Sequence, residues 1–144
     1  MFRRLPSPTS PARPVLLAAL LHPVAAGLLW TWFGFDTNVA GEELFFAYVV
    51  VGAFLLGALP AVAFATRRLR APAVVVVAAF TLSAYGTWSI VAAGVTPVDP
   101  TPFGWYLLGW PLVAIVALLV GGVEYGLQWV RSTDDLTTDE DATR

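Results

Sequence analysis

Residues 103–130 read FGWYLLGWPLVAIVALLVGGVEYGLQWV, a stretch of 28 residues that contains a single acid, Glu124. About 20 residues of helix, at 1.5 Å each, span a hydrocarbon core of roughly 30 Å. A straight helix over the whole stretch is therefore too long for an upright span. Pro111 interrupts the stretch and favours the first turn of a helix. The sequence predicts a membrane helix that breaks near Pro111, with an aromatic segment over 103–110 at the membrane interface.

The composition of the whole chain is that of a membrane protein. Hydrophobic residues make up 58% of it and charged residues 12%, against about 25% charged in a soluble domain. Cysteine is absent and there is one histidine, which removes disulfides, thiolate metal sites and a haem held by two histidines of the chain. We expect no cofactor, no metal site and no nucleic-acid partner. All eight basic residues are arginine, a usage typical of a prokaryotic, halophile-like protein.

Three more apolar segments precede the first one described. They predict helices over 15–35, 44–65 and 73–94, joined by short loops. Together with the helix over 103–130, they predict an all-α membrane protein with a bundle of four transmembrane helices over residues 15–131.

The two ends of the chain differ from this domain. Residues 1–14 contain four prolines and three arginines, and proline disrupts continuous helix, so we expect a disordered basic arm. Residues 132–144 hold five acids and predict a disordered acidic tail. A cleavable signal peptide ending near Val24-Ala25-Ala26 is the alternative for the first segment. Because hydrophobicity continues through Phe35, we expect the segment to be retained as a helix.

Arginine positions predict the orientation. Three arginines lie in the N-terminal arm, Arg67, Arg68 and Arg70 lie in the turn after the second helix, and Arg131 follows the fourth. The two remaining loops have none. Because positively charged loops stay in the cytoplasm, we expect a multi-pass protein of the plasma membrane with both termini cytoplasmic. The three arginines of the turn either fix this topology or also bind lipid headgroups.

A candidate intramembrane polar site comprises His22, Glu124 and Gln128. His22 lies seven residues into the predicted first helix, and Glu124 lies seven residues before Arg131. Both are then about 10 Å deep. Gln128 follows Glu124 by one helical turn. If the first and fourth helices are neighbours, we expect His22 and Glu124 within hydrogen-bonded or water-bridged reach, where they would relay protons or bind a cation.

A structural role is the alternative for both residues. His22 then packs at a helix kink, and Glu124 is a carboxyl near the membrane edge. Side-chain contacts in lipid are worth about 0.6 kcal/mol on average. We therefore expect Glu124→Gln to leave the stability of the protein nearly unchanged.

Small residues predict the packing faces of two helices. Ala53, Gly57 and Ala61 recur at four-residue steps in the second helix, and Gly122 and Gly126 do so in the fourth. Such stripes let helix backbones approach closely in lipid. For Gly122 and Gly126 two interpretations stay open, which are packing inside the chain and contact with another chain.

No catalytic motif is present, and the loops are short. We therefore expect no enzymatic activity. The leading hypothesis is a non-catalytic accessory or interaction subunit that contacts the lipid bilayer and either another membrane protein or a second copy of the chain. The alternative is a small oligomeric transporter or channel for protons, cations or small solutes that uses His22 and Glu124.

Overall fold

The protein is all-helical over the residues that the structure, a computed structural model, describes. These are residues 12–35, 42–95 and 100–141. The helices are α1 (Ala12–Trp32), α2 (Glu43–Arg67), α3 (Ala71–Ala92), α4 (Pro102–Leu108) and α5 (Trp110–Asp141). Four segments are long and apolar enough to cross a membrane: Arg13–Trp32, Glu43–Arg67, Ala71–Ala92 and Trp110–Arg131. The prediction of an all-α, multi-pass membrane protein is confirmed at this level.

Helix α1 begins earlier than predicted. It starts at Ala12, so residues 12–14 of the predicted basic arm belong to the helix. The rest of that arm lies outside the described residues. The first turn of α1 therefore contains Arg13 and Pro14, and the apolar stretch of the helix begins after them.

The turn between α2 and α3 is as short as the sequence indicates. Arg68 adopts a left-handed conformation with φ 58°, which commonly ends a helix. The backbone N–H of Arg68 donates to the carbonyl of Phe64 at 2.9 Å, and that of Leu69 donates to the carbonyl of Ala63 at 3.4 Å. These bonds satisfy carbonyls that the end of α2 would leave unpaired. The chain then enters α3 at Ala71.

The predicted break in the last apolar segment falls at Gly109, two residues before Pro111. Helix α4 is bounded at its start by Thr101, whose Oγ1 accepts the backbone N–H of Gly104 at 3.1 Å. Threonine followed by proline is a favourable helix start. Helix α4 ends at Leu108, and the N–H of the next residue, Gly109, donates to the carbonyl of Trp105 at 2.8 Å. Helix α5 begins at the next residue.

Helix α5 runs well past the predicted end of the fourth helix. It has 32 residues, or about 48 Å at helical rise. The helix therefore includes residues 132–141, which the sequence analysis assigns to a disordered tail. Residues 142–144 lie outside the described part of the chain.

An aromatic cluster forms the core where α4 meets α1 and α3. Phe103 of α4 is completely buried. Its ring centroid lies 5.8 Å from that of Phe33, which follows α1, and 5.9 Å from that of Phe80 in α3. The ring of Tyr106 lies 5.7 Å from that of Phe80. Edge-to-face pairs at such distances are favourable. Helix α4 thus belongs to the core. The interpretation of 103–110 as an interfacial segment does not predict this burial.

The long helices pack in a definite set of pairs. Helix α1 packs mainly on α2, α5 contacts both α2 and α3, and α4 packs mainly on α3. In the most apolar stretch of 18 residues of each span, only 6% to 22% of the residues are buried inside the chain. Most of the apolar surface of the spans therefore faces outward, as expected for helices surrounded by lipid.

Candidate functional site

Glu124 caps the start of α3. One carboxylate oxygen accepts the backbone N–H of Ala71 at 2.8 Å and that of Arg70 at 2.9 Å, while the other lies 3.1 Å from the Arg70 nitrogen. The first amides of a helix have no partner within the helix. The residue before α3, Arg70, makes no side-chain cap of its own. Helix caps usually come from the residue just before the helix. Here the carboxylate of Glu124, which lies in α5, caps α3 instead.

The electrostatics of this contact favour the negative charge. The N-terminus of a helix carries a partial positive charge, equivalent to about half a unit, that stabilises a nearby anion. Gln128 adds a long hydrogen bond from its Nε2 to Glu124, at 3.5 Å. Gln128, one helical turn away on the same face, is therefore in contact with Glu124. The carboxylate is engaged in holding α3 to α5.

This cap changes the expectation for Glu124→Gln. A glutamine side chain offers a single carbonyl oxygen as acceptor, and its NH₂ group only donates. That oxygen can accept the amides of both Arg70 and Ala71, as one carboxylate oxygen of Glu124 does, but the second contact with the Arg70 nitrogen and the negative charge at the helix N-terminus are lost. The expectation of nearly unchanged stability is therefore replaced by an expected loss.

His22 bonds to a residue that the sequence analysis does not single out. Its Nε2 lies 2.9 Å from the phenol oxygen of Tyr106 in α4. The phenol donates when Nε2 carries no hydrogen and accepts when it does. The imidazole also lies against Phe80, with ring centroids 5.1 Å apart. His22 thus joins α1 to the aromatic core.

The structure does not bring His22 and Glu124 together. Because α1 begins at Ala12, His22 lies about 15 Å along it, rather than 10 Å. Glu124 lies seven residues, or about 10 Å, before Arg131, the end of its span on the same side, so the two depths differ by only about 5 Å. Helix α1 packs mainly on α2. The two side chains have different partners, in α4 and at the start of α3.

Helix α4 is held by a second polar contact that the sequence analysis misses. The backbone N–H of Phe103 donates to Oγ1 of Thr87 in α3 at 2.9 Å. Thr87 is completely buried. The sequence does not single out Thr87, because α3 has four other hydroxyl side chains, Thr81, Ser83, Tyr85 and Ser89, and threonine in a helix often bonds to its own backbone.

The small face of α2 lies against α1. Ala53 and Gly57 are buried, and Ala61 is half-buried. A Cβ added to Gly57 would meet the carbonyl oxygen of Ala18 and would lie 2.9 Å from Cβ of His22. The absence of a side chain at Gly57 therefore allows this close approach of the two helices.

Gly122 and Gly126 have a different environment. Both are exposed, and a Cβ added to either would meet nothing within 4 Å. Neither glycine therefore packs against another helix within the described part of the chain. Gly121, the preceding residue, does pack inside, since a Cβ there would lie 2.7 Å from Cγ of Pro72.

The arginines of the turn are all exposed, but they differ in their contacts. Arg67 donates from Nη1 to the phenol oxygen of Tyr125 at 3.3 Å, and its guanidinium carbon lies 5.2 Å from the centroid of that ring. The guanidinium of Arg68 lies 5.8 Å from the ring centroid of Phe64. Arg67 is therefore tied to α5, whereas Arg68 lies over its own helix.

Within residues 12–35, 42–95 and 100–141, no group of three or more His, Asp or Glu side chains is placed to hold a metal ion. No family model, curated protein or solved structure matches the chain.

Proposed function

We propose that this protein is a non-catalytic accessory or interaction subunit of the plasma membrane. It binds a transmembrane helix of another membrane protein, or of a second copy, through the outward face of α5. The observation that carries the proposal is that Gly122 and Gly126 are exposed with open space above them. Residues four apart lie on one face of a helix, and such glycine pairs allow helix backbones to approach closely in lipid.

The hydrogen bonds inside the protein support a structural role. Glu124 accepts backbone amides of α3, His22 pairs with Tyr106, and Thr87 accepts the amide of Phe103. Each of these polar side chains joins two helices. The transporter alternative requires His22 and Glu124 to act together, and their separate partners give it no support.

Under this proposal both termini are cytoplasmic. The support is the distribution of arginine, which is concentrated in the N-terminal arm, in the turn around Arg68 and at Arg131. The face with Gly122 and Gly126 then lies in the half of the membrane nearest the cytoplasm. A partner helix would cross α5 there.

Copurification from native membranes tests the proposal. After gentle solubilisation we expect the chain to elute in a complex, whose mass separates a second copy from a different protein. Gly126→Leu should reduce the fraction in the complex, because it fills the face. Gly27→Leu is the matched control, since Gly27 also has open space but lies on α1. The proposal fails if the native chain runs reproducibly alone as a monomer, or if both variants reduce the complex equally.

A further inference from the structure

An open groove lies beside the arginine turn, between α2, the start of α3 and α5. It has a volume of about 320 Å³. Its apolar lining includes Leu69, Pro72, Leu118 and Gly122. Arg67 and Tyr125 also line it. The groove therefore combines one cation with an apolar channel. Of the two glycines on the proposed partner face of α5, Gly122 lines the groove and Gly126 does not.

Arg67 is held at this edge with most of its donors unused. A guanidinium has five N–H donors, and the one hydrogen bond that the side chain makes within the described residues goes to the Tyr125 hydroxyl. The adjacent acid, Glu124, is turned toward the backbone amides of Arg70 and Ala71. Among the side chains that the structure describes, which exclude those of 132–144, no carboxylate bonds to the Arg67 guanidinium, so in this part of the chain its charge can bind an anion.

The position of the groove along the spans suits a lipid. Arg67 is the last residue of the second span, and Tyr125 lies six residues before Arg131, the last of the fourth. Six residues correspond to about 9 Å of helix. The groove thus extends from the headgroup level into the hydrocarbon region, which begins a few Å deeper. A phosphate and the first part of an acyl chain meet at this depth.

We propose that the groove binds one anionic phospholipid, with its phosphate on the Arg67 guanidinium and an acyl chain along Leu118 and Gly122. Guanidinium groups bind phosphate through parallel, charge-assisted hydrogen bonds. Arg70 adds positive charge at the same membrane surface, which favours an anionic headgroup over a zwitterionic one. The open space at Gly122 leaves room for methylene groups.

Lipid retention by the purified full-length chain tests this site. The protein in mild detergent is titrated with phosphatidylglycerol or phosphatidylcholine, and bound lipid is counted by native mass spectrometry. We expect one phosphatidylglycerol to be retained in preference to phosphatidylcholine. Arg67→Gln should weaken its binding at least about fivefold. Arg68→Gln is the matched control and should change binding less than twofold, because Arg68 lies over Phe64 instead.

A second pair of variants tests the apolar part of the groove. A Cβ at position 122 meets nothing within 4 Å, so we expect the chain to accept Gly122→Leu. The leucine should displace the acyl chain, so that retention of phosphatidylglycerol is lost. Gly126→Leu makes the same change on a residue outside the groove and should retain the lipid. Thermal unfolding of all four variants in lipid-free detergent checks that each one is folded.

Three outcomes would overturn the proposal. One is equal retention of phosphatidylglycerol and phosphatidylcholine, and another is an equal loss in Arg67→Gln and Arg68→Gln. The third is displacement of the lipid by millimolar inorganic phosphate, which would mean a simple anion site without an acyl chain. Native mass spectrometry counts the lipid separately on the single chain and on any complex, so failure of this site and failure of the proposed partner helix are distinguishable.

Discussion

Glu124 is the residue whose role changes most between sequence and structure. Its position as the single acid of an apolar segment identifies it as a residue that needs a partner. The partner proves to be two backbone amides at the start of α3. Backbone groups carry no mark in a sequence, since every residue except proline has the same N–H. A side-chain partner such as His22 is therefore the only kind that sequence reasoning can propose.

Replacing Glu124 with alanine should destabilise the protein. The change leaves the amides of Arg70 and Ala71 without their acceptor, and loss of a helix cap costs about 0.5–2 kcal/mol. Glu124→Gln, which keeps one acceptor, should fall between the alanine variant and the native protein. Thermal or denaturant unfolding in detergent measures the effect.

Gln128→Ala is the matched control for this series. It removes only the long, exposed contact with Glu124, so the change should stay within about 0.5 kcal/mol. If Glu124→Ala unfolds at the same midpoint as the native protein, the carboxylate does not cap α3.

The bond between His22 and Tyr106 predicts a measurable coupling. His22→Phe and Tyr106→Phe each remove one partner and keep an aromatic ring in the core. Double-mutant cycles on such pairs in membrane proteins give about 0.6 kcal/mol on average and up to about 1.7 kcal/mol, and we expect a value in that range here. Tyr85→Phe, on an exposed tyrosine of α3, should show no coupling with His22. A coupling near zero for Tyr106 would contradict the bond.

Helix α2 depends on a glycine where it meets α1. Gly57→Ala places a Cβ against the carbonyl oxygen of Ala18 and against His22, so the helices must separate. Overpacking of this kind typically costs about 1–3 kcal/mol. Gly27→Ala is the matched change in open space and should be neutral or stabilising, because alanine favours helix over glycine by up to about 1 kcal/mol. We expect Gly57→Ala to lower the unfolding midpoint and Gly27→Ala to leave it unchanged or raise it. A Gly57→Ala variant as stable as the native protein would refute the close approach of the two helices.

Helix α4 depends on a hydroxyl of α3. Thr87→Val keeps the shape of the side chain and removes the acceptor of the Phe103 amide. An unpaired buried N–H costs about 1–3 kcal/mol, and the penalty should appear mainly as local opening of α4. Hydrogen exchange read at the peptide level should therefore quicken over 102–108. Ser89→Ala, which removes a bond to the same helix on an exposed surface, should leave that exchange unchanged.

The helices themselves are largely predictable, and their packing is not. Four long apolar runs predict four spans because lipid forces the backbone to bond within each helix. The separate α4 is predictable in part, since Thr101, Pro102 and Gly109 mark its ends. Its burial is not, because Phe103 and Tyr106 suit both a membrane interface and a core. The helical continuation through 132–141 is missed because an acidic composition favours disorder in water.

Neighbour relations among the spans are the hardest feature to predict. Lipid is as apolar as a leucine side chain, so a packed face and a lipid-facing one have similar composition. Gly57 and the pair Gly122 and Gly126 have the same spacing pattern, yet Gly57 is buried and the other two are exposed. The sequence therefore identifies small faces without telling which of them the chain itself covers.

The orientation of the whole molecule can be tested with single cysteines, because the native chain has none. Thr66 and Val95 are exposed and lie beyond opposite ends of α3. From the arginine distribution, we expect an impermeant thiol reagent to label Val95→Cys on intact cells and Thr66→Cys only after lysis. The reverse pattern would show that the termini are outside.

The contact between Glu124 and α3 also bears on how the protein is made. Ala71 and Glu124 are 53 residues apart in the chain, so the start of α3 is synthesised 53 residues before the side chain that caps it. Until α5 enters the bilayer, the amides of Arg70 and Ala71 have only water or headgroups as partners. During biosynthesis, the α2–α3 pair therefore lacks the acceptor for these two amides until α5 is in place. A nascent chain stalled before Glu124 should be a target for membrane quality control, and not a smaller functional version of the protein.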